Sequence, residues 1–445
     1  MSELLSIGSS GLRAYREALA TTGDNVANAQ TAGYVRRGLR LAEAPTVGST
    51  PLQSSSNGPG GVMIAGVTRA VDVWLADDAR LSSGIAERSA ARTQWLGATE
   101  AAIDDGLDGF GGSATALFNA ADRLAADPSS APARLQFLAH VDGAASALRR
   151  TSAQLTSVST GIAADAQNSV SDLNTNLASL EQVNDGLRRA REGSTHQASL
   201  LDQRDTLINS ISTVLPVTIT VEAKQSVSLR VAGPGAPVLL DQSGRAQASV
   251  SASATGQLNF SLSPGDPLTL PASGRLAGLA SAADHVATQR AELDILARQF
   301  VGQINAAHQA GLDANGQAGQ PLLSFGGNAA SVAAMPLLPG QVAAASAARD
   351  NGAILAFASL RGGGGVETSW ATVVASQSQT VSSARAENAA NQTRFETASQ
   401  ARDAVSAVDL DHEAAELLRF QQAYEGSARV IQVARETFQS ILNAI

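Results

Sequence analysis

The two ends of the chain carry the same apolar repeat, and this repeat limits the possible folds more than any other feature. Near the C-terminus, apolar or small residues recur at alternating steps of three and four, at Leu417, Phe420, Tyr424, Ser427, Ile431, Ala434, Phe438, Ile441 and Ile445. Near the N-terminus the same steps join Leu5, Gly8, Leu12, Tyr15, Leu19, Thr22 and Val26. Such a repeat is typical of a helix that lies along another helix. The sequence therefore predicts that the two ends pair as a coiled coil, although ordinary core helices of one globular domain would show the same periodicity.

The predicted C-terminal helix, residues 410–445, is too long to bury its apolar stripe against itself. Asp409 and Asp411 stand at its start, where the helix dipole favours negative charge. At about 1.5 Å per residue the helix would be roughly 54 Å long. The free energy gained by packing against a single partner helix would exceed the entropic cost of ordering a helix of this length by little. We therefore expect the terminal pair to be loose in the monomer and to become ordered when other subunits add surface.

The middle of the chain alternates between helical and strand patterns. Helical periodicity dominates, but short β-branched segments between Gly, Pro and Ser turns predict strands from 216 to 273. Two more strands are predicted at 35–41 and 62–67, separated by a loop at 48–61. The fold class is thus predicted to be multidomain and mainly α, with long helices, a terminal coiled-coil pair and a small inserted β domain.

Three domains follow from these changes of pattern. The first is the terminal coiled coil, an inner assembly domain of residues 1–34 and 406–445. The second is a helical bundle, which takes in residues 35–215, 275–319 and 350–405. The third is an outer β-rich domain of residues 216–274, with 320–349 as a candidate addition.

The composition argues against most kinds of chemistry. A net charge of −9 disfavours a nucleic-acid partner, and the absence of cysteine removes disulfides and thiol catalysis. We expect no signal peptide and no membrane-spanning segment, because no long continuous apolar run occurs. The five histidines are predicted to be solvated or partly buried helix positions, since none has a second ligand at metal-binding spacing. We therefore expect no enzyme activity, cofactor or metal.

Short motifs at both ends resemble a known family. Residues 25–29 (NVANA) followed by 31–34 (TAGY) are similar to the N-terminal signature of flagellar rod, hook and hook-associated proteins. The C-terminal run 413–424 (EAAELLRFQQAY) is similar to the same family, and stretches at 200–212 and 293–319 extend the resemblance over most of the helical part.

Details of these motifs favour one branch of the family. Tyr34 followed by Arg36 is more similar to the members that join hook to filament than to hook or rod proteins. Ala32, however, replaces the Pro often found before the glycine. The β segment is not covered by the resemblance.

The resemblance implies a structural subunit that joins the hook to the filament, exported by the flagellar type III apparatus. It would be transiently cytoplasmic and then secreted into the hook–filament junction. The implied partners are copies of itself in a ring, hook protein on one side, and a second hook-associated protein or flagellin on the other. A cytoplasmic export chaperone at the C-terminal helix is expected as well. A hook, rod or flagellin-like filament subunit is the alternative, and an extracellular enzyme on a flagellar scaffold is a more distant one.

The predicted assembly interface combines the seam of both terminal helices with the turn after the first. Its residues are Leu5, Leu12, Tyr15, Leu19, Asn25, Val26, Asn28, Gly33, Tyr34, Leu417, Phe420, Tyr424, Ile431, Phe438 and Ile441.

Overall fold

The computed structural model describes residues 2–44, 60–103, 106–263, 265–347 and 350–443. Most of the predicted loop at 48–61, and Ile445 of the C-terminal seam, lie outside these ranges.

Long helices make up most of the described chain. They are α1 (Ser2–Ala27), α2 (Val73–Ile103), α3 (Phe110–Ala126), α4 (Ala131–Arg189), α5 (Thr195–Val214), α6 (Arg275–Gln309), α7 (Gly352–Leu355), α8 (Val366–Ser406) and α9 (Leu410–Leu442). Short 3-10 turns occur at Ala223–Gln225, Ala329–Ser331, Pro339–Gln341 and Ala356–Arg361. This content confirms the predicted mainly α fold class.

The strands are short and pair antiparallel. They are β1 (Arg37–Glu43), β2 (Val62–Arg69), β3 (Val217–Val221), β4 (Val227–Val231), β5 (Val238–Asp241), β6 (Gly244–Arg245), β7 (Ala248–Ala252), β8 (Leu258–Leu262), β9 (Asp266–Pro267), β10 (Leu323–Ser324) and β11 (Ala333–Ala334). β1 pairs with β2, and β10 pairs with β11. The segment predicted as one small β domain supplies two sheets, ordered β3-β4-β5-β6 and β7-β8-β9.

The chain folds into two compact units. The terminal unit comprises Met1–Gly84, Leu173–Gln247 and Thr393–Ile445, and the central unit comprises Ile85–Asp172 and Ala248–Gln392. The sheet of β3 to β6 belongs to the terminal unit, and the sheet of β7 to β9 belongs to the central unit. The three-domain division expected from the sequence stays a prediction beside this two-part grouping.

In the terminal unit the first and last helices pair, as the repeat predicted. α1 packs against α9 and also lies near the β1–β2 hairpin. Just before β1, the backbone N–H of Arg36 donates to the carbonyl of Ser406, the last residue of α8, at 2.9 Å. Asp409 caps α9, because its carboxylate accepts hydrogen bonds from the backbone N–H groups of Asp411 and His412.

The central unit has a fully buried apolar core. Leu148, Leu155 and Ile162, spaced by seven residues on α4, are all buried, as their periodicity predicts. Phe110 packs edge-to-face against Phe300 and Trp370, with ring centroids 5.4 and 5.3 Å apart respectively. The unit therefore has a complete core within one chain.

His308, on α6, corrects one sequence prediction, because it is fully buried rather than solvated or partly buried. Its Nε2 accepts a hydrogen bond from the backbone N–H of Ala343 at 2.9 Å, so Nδ1 carries the proton and donates to the carbonyl of Gln320 at 2.6 Å. Burial lowers the pKa of His308 below its ordinary value of 6.5, and the Gln320 hydrogen bond opposes this shift. The neutral ring thus joins α6 to two later segments of the chain.

This histidine should make the stability of the protein depend on pH. The lowered pKa of folded His308 means that the unfolded chain binds the proton first as pH falls, so the stabilisation is complete above pH 6.5 and is lost below it. We expect the free energy of unfolding to fall by up to about 1.4 kcal/mol per pH unit in the window just below that value. His308→Gln should remove this slope in urea titrations, whereas His196→Gln, at an exposed helix position, should keep it. Equal slopes in all three proteins would contradict the assignment.

Candidate assembly site

The α1–α9 contact is close because small residues of α1 face α9. A Cβ atom added at Gly8 would lie 2.6 Å from Ile431 Cγ1, and one added at Gly11 would lie 2.7 Å from Ser427 Oγ. Ala14 and Ala18 continue the same face and are buried. Larger side chains at these positions would force the helix axes apart.

The two helices run antiparallel, and their register leaves the end of α9 uncovered. Gly11 lies opposite Ser427, while Asn25, much later in α1, lies opposite Glu413. Counted along this register, the first residues of α1 face Ala434, which is buried. Beyond it the side chains of Phe438 and Ile441 are 52% and 47% exposed. The last turns of α9 thus extend past the start of α1.

The structure places the predicted seam residues in three groups. Those half-buried are Leu5, Leu12, Tyr15, Leu19, Leu417, Phe420, Tyr424 and Ile431, and of these Ile431 lies directly against Gly8. Those exposed are Val26, Phe438 and Ile441. The turn residues Asn25, Asn28, Gly33 and Tyr34 lie at the other end of the pair. The small residues Gly11, Ala14 and Ala18 were missed, although their steps of three and four were visible in the sequence.

Asn25 is the polar centre of this end of the pair, and it is almost completely buried. Its Nδ2 donates to the carbonyl of Arg37 at 2.8 Å and to Glu413 Oε2 at 3.0 Å. Its Oδ1 accepts from the hydroxyl of Tyr34 at 2.9 Å and from the backbone N–H of Arg37 at 3.0 Å. One side chain therefore joins α1, the turn after it, β1 and α9 with four hydrogen bonds.

The turn after α1 rests on α5 through Gly33. This glycine has a left-handed φ of 79°, and a Cβ atom there would lie 2.4 Å from Thr206 Oγ1. Asn28 closes the start of the turn, since its Nδ2 donates to the carbonyl of Asp24 at 2.9 Å. Glycine is thus required here by both the backbone conformation and the close approach of α5.

Two arginines bind the β1–β2 hairpin to α5. Arg37 Nη2 and Arg69 Nε contact the two carboxylate oxygens of Asp202 at 2.8 and 2.7 Å, and Arg69 also contacts Asp205 at 2.8 Å. The Arg37 guanidinium lies 4.7 Å from the centre of the Tyr34 ring. Burial raises the pKa of the Tyr34 phenol above 10.0, and the Arg37 charge opposes this shift. Sequence reasoning missed these ion pairs, because single charged residues on separate elements carry no periodic signal.

An open cleft of about 770 Å³ lies between this turn and the helices α4 and α5. Tyr34, Arg37, Gln182, Asp202 and Thr206 are among its lining residues. Within the described ranges no group of three His, Asp or Glu side chains could hold a metal ion. The arrangement is that of a packed junction of helices, and its chemistry is hydrogen bonding and ion pairing.

Comparison with known proteins assigns this architecture to a class of flagellar subunits. The terminal segments match models of the flagella basal body rod protein, at residues 5–34, and of the flagellar basal body rod FlgEFG protein C-terminal region, at residues 391–444. The model of the flagellar hook-associated protein FlgK helical domain matches residues 96–323, more than half of the chain. The chain therefore belongs to the family of flagellar hook-associated proteins that contain this helical domain.

Individual relatives are distant in sequence. Flagellar hook-associated protein 1 of Salmonella typhimurium (strain LT2) is 25% identical over 336 residues, which cover 73% of this chain and 60% of that protein. The protein of the same name from Bacillus subtilis (strain 168) is 24% identical over 494 residues, covering 98% of this chain and 96% of the relative. The chain thus spans about three fifths of the length of the Salmonella relative.

A solved structure supports the fold. The flagellar hook junction protein FlgK from Burkholderia pseudomallei superimposes with a TM-score of 0.50 at 20% sequence identity, over 56% of this chain and 46% of that one. Across the described part of the chain, no helix combines the length and the apolar character needed to span a membrane.

Changing Asn25 should loosen the terminal pair without removing any apolar contact. Asn25→Asp keeps the shape of the side chain but replaces the donating Nδ2 by an oxygen that faces Glu413 and the carbonyl of Arg37. We expect a loss of about 1–3 kcal/mol from the unpaired and repelling groups, and faster proteolytic removal of α9. Adding Glu413→Gln supplies a donor to the new carboxylate and should restore part of the protection. Unchanged cleavage rates in Asn25→Asp would contradict this role.

Proposed function

We propose that this chain is a structural subunit of the bacterial flagellum that joins the hook to the filament. Membership of the hook-associated family supports the proposal, and so do the names of the relatives from Salmonella and Bacillus. The observation that carries it is the terminal helix pair, because this pair leaves large apolar side chains of both helices uncovered. A subunit that packs side by side with others through its ends needs such a surface.

The exposed apolar residues of the pair define the proposed assembly surface. On α1 and α9 they are Leu4, Ile7, Val26, Leu410, Leu418, Val430, Val433, Phe438, Ile441 and Leu442. Burial of apolar surface stabilises contacts by about 25 cal/mol per Å², so covering several of these side chains would favour assembly by several kcal/mol. The half-buried seam residues flank the same surface, and we assign the predicted interface to both groups together.

The proposed partners follow from this surface and from the family. They are copies of this chain in a ring, hook protein on one side, and a second hook-associated protein or flagellin on the other. An export chaperone would cover the α9 surface before assembly. We propose that the protein resides at the hook–filament junction, after a transient stay in the cytoplasm and export by the flagellar type III apparatus. Within the subunit we keep the division into coiled-coil, bundle and β-rich domains as a proposal.

A rod or hook subunit is the second candidate. The matches of both ends to basal body rod models favour it. The central match to the FlgK helical domain favours the junction role, because it covers more than four times as much of the chain as the longer of the two end matches. The enzyme alternative has less support, because the family whose model matches this chain is one of flagellar hook-associated proteins.

The uneven burial of the two units supports a loose terminal pair in the monomer. Leu148, Leu155 and Ile162 on α4 of the central unit are fully buried, whereas the large predicted seam residues of α1 and α9 are half-buried or exposed. Limited proteolysis of the soluble protein with mass mapping tests this directly. Rapid loss of both ends around a resistant centre is the expected result, and equal resistance of ends and centre would show that the pair is complete by itself.

Phe438 offers the sharpest test of the assembly surface, because it is exposed and lies beyond the start of α1. Phe438→Asp should leave the circular dichroism and stability of the soluble protein unchanged but prevent incorporation at the hook tip. Cells carrying the variant should then have hooks without filaments by electron microscopy. Gln439→Asp adds the same charge at the next residue, which is polar and exposed, and should assemble normally. Normal filaments on Phe438→Asp cells would refute the assignment of this surface.

A further inference from the structure

A small cavity lies inside the helical core of the central unit. Four helices line it, with Ile103 from α2, Thr151 and Leu155 from α4, Gln289, Leu293 and Leu296 from α6, and Trp370 and Val373 from α8. The space open to the centre of a water-sized sphere is about 10 Å³. That is about the volume which a single water molecule requires.

Two buried polar atoms belong to side chains that line this cavity and have no hydrogen-bonding partner in the described protein. One is the side-chain carbonyl oxygen of Gln289, an acceptor, and the other is the indole N–H of Trp370, a donor. Both side chains are at least nine-tenths buried. Leaving such atoms unpaired costs about 1–3 kcal/mol each, so native proteins rarely do so.

The orientation of the Gln289 amide is fixed by a neighbour. Its Nε2 donates to the carboxylate of Glu292 at 3.1 Å. Exchanging the oxygen and nitrogen of the amide would place two acceptors against each other, which is unfavourable. The carbonyl oxygen of Gln289 is therefore the atom left without a partner, and it remains an acceptor.

We propose that this cavity is a binding site for one structural water molecule. The water accepts a hydrogen bond from Trp370 Nε1 and donates one to Gln289 Oε1. A site with two to four polar partners holds its water firmly, whereas an apolar cavity of this size stays dry. The water joins α6 to α8 beside the packed rings of Phe110 and Trp370.

Three tryptophans make the site observable in the intact protein. Trp74 is largely exposed, Trp95 donates to Asp165 at 3.0 Å, and Trp370 faces the cavity. With ¹⁵N-labelled tryptophan, the indole signals can be assigned from single Trp→Phe variants. We expect the Trp370 indole proton to show a cross-peak to a long-lived water molecule in rotating-frame experiments. A folded protein without this cross-peak would overturn the proposal.

A hydroxyl proton that exchanges with solvent could imitate bound water, and Thr151→Val controls for this. The cross-peak should persist in that variant, and its loss there would mean that the hydroxyl, and not a water, lies beside the indole. Gln289→Met removes the acceptor while keeping the side-chain length, so the cross-peak should disappear. Persistence in Gln289→Met would show that the amide does not hold the water.

Denaturant unfolding tests the bridge independently. Gln289→Met and Trp370→Phe each leave the water with one partner fewer. Either substitution should therefore destabilise the protein less when the other is already present than when it is made alone. We expect the two effects on the unfolding equilibrium constant to differ from multiplicative by roughly tenfold. Multiplicative effects would show that the two side chains are not connected through a shared water.

Discussion

The close antiparallel contact between α1 and α9 is the constraint on which the terminal unit depends. It exists because Gly8 and Gly11 allow the backbone of α1 to approach Ile431 and Ser427 on α9. At the far end Asn25 fixes the same pair with four hydrogen bonds to groups on three other segments. Close packing sets the distance between the helices, and the polar centre sets their register.

The uncovered end of α9 is a consequence of unequal helix lengths. α1 has 26 residues and α9 has 33, and Asn25 fixes the pairing at the end of α1 and the beginning of α9. The difference of about two turns must therefore project at the other end, by roughly 10 Å at 1.5 Å per residue. Because the seam continues along this extension, the apolar side chains of Phe438, Ile441 and Leu442 are exposed there.

The two units differ in how far their large apolar side chains are buried within one chain. In the central unit Leu148, Leu155 and Ile162, the rings of Phe110 and Phe300 and a neutral histidine are buried, and we infer that a water molecule pairs Gln289 with Trp370. The terminal unit leaves its seam half-buried and holds its turn with ion pairs of Arg37 and Arg69 to Asp202. This contrast agrees with the proposed role, in which a rigid centre carries ends that bind neighbouring subunits.

Periodicity in the sequence alone determined the helices, the pairing of the two ends and the buried stripe of α4, because burial on one side of a long helix repeats at a fixed interval. The NVANA and TAGY motifs likewise marked Asn25, Gly33 and Tyr34, and they indicated the family. Only the tertiary structure decided that small residues of α1 face α9 while Leu12 and Phe420 stay half-buried, and that Phe438 lies beyond the overlap. Only the structure shows the hydrogen bond between Asn25 and Glu413 and the ion pair between Arg37 and Asp202, since such contacts link positions far apart in the chain. Helix separation and register depend on both partners at once, and no periodic pattern within one helix contains that information.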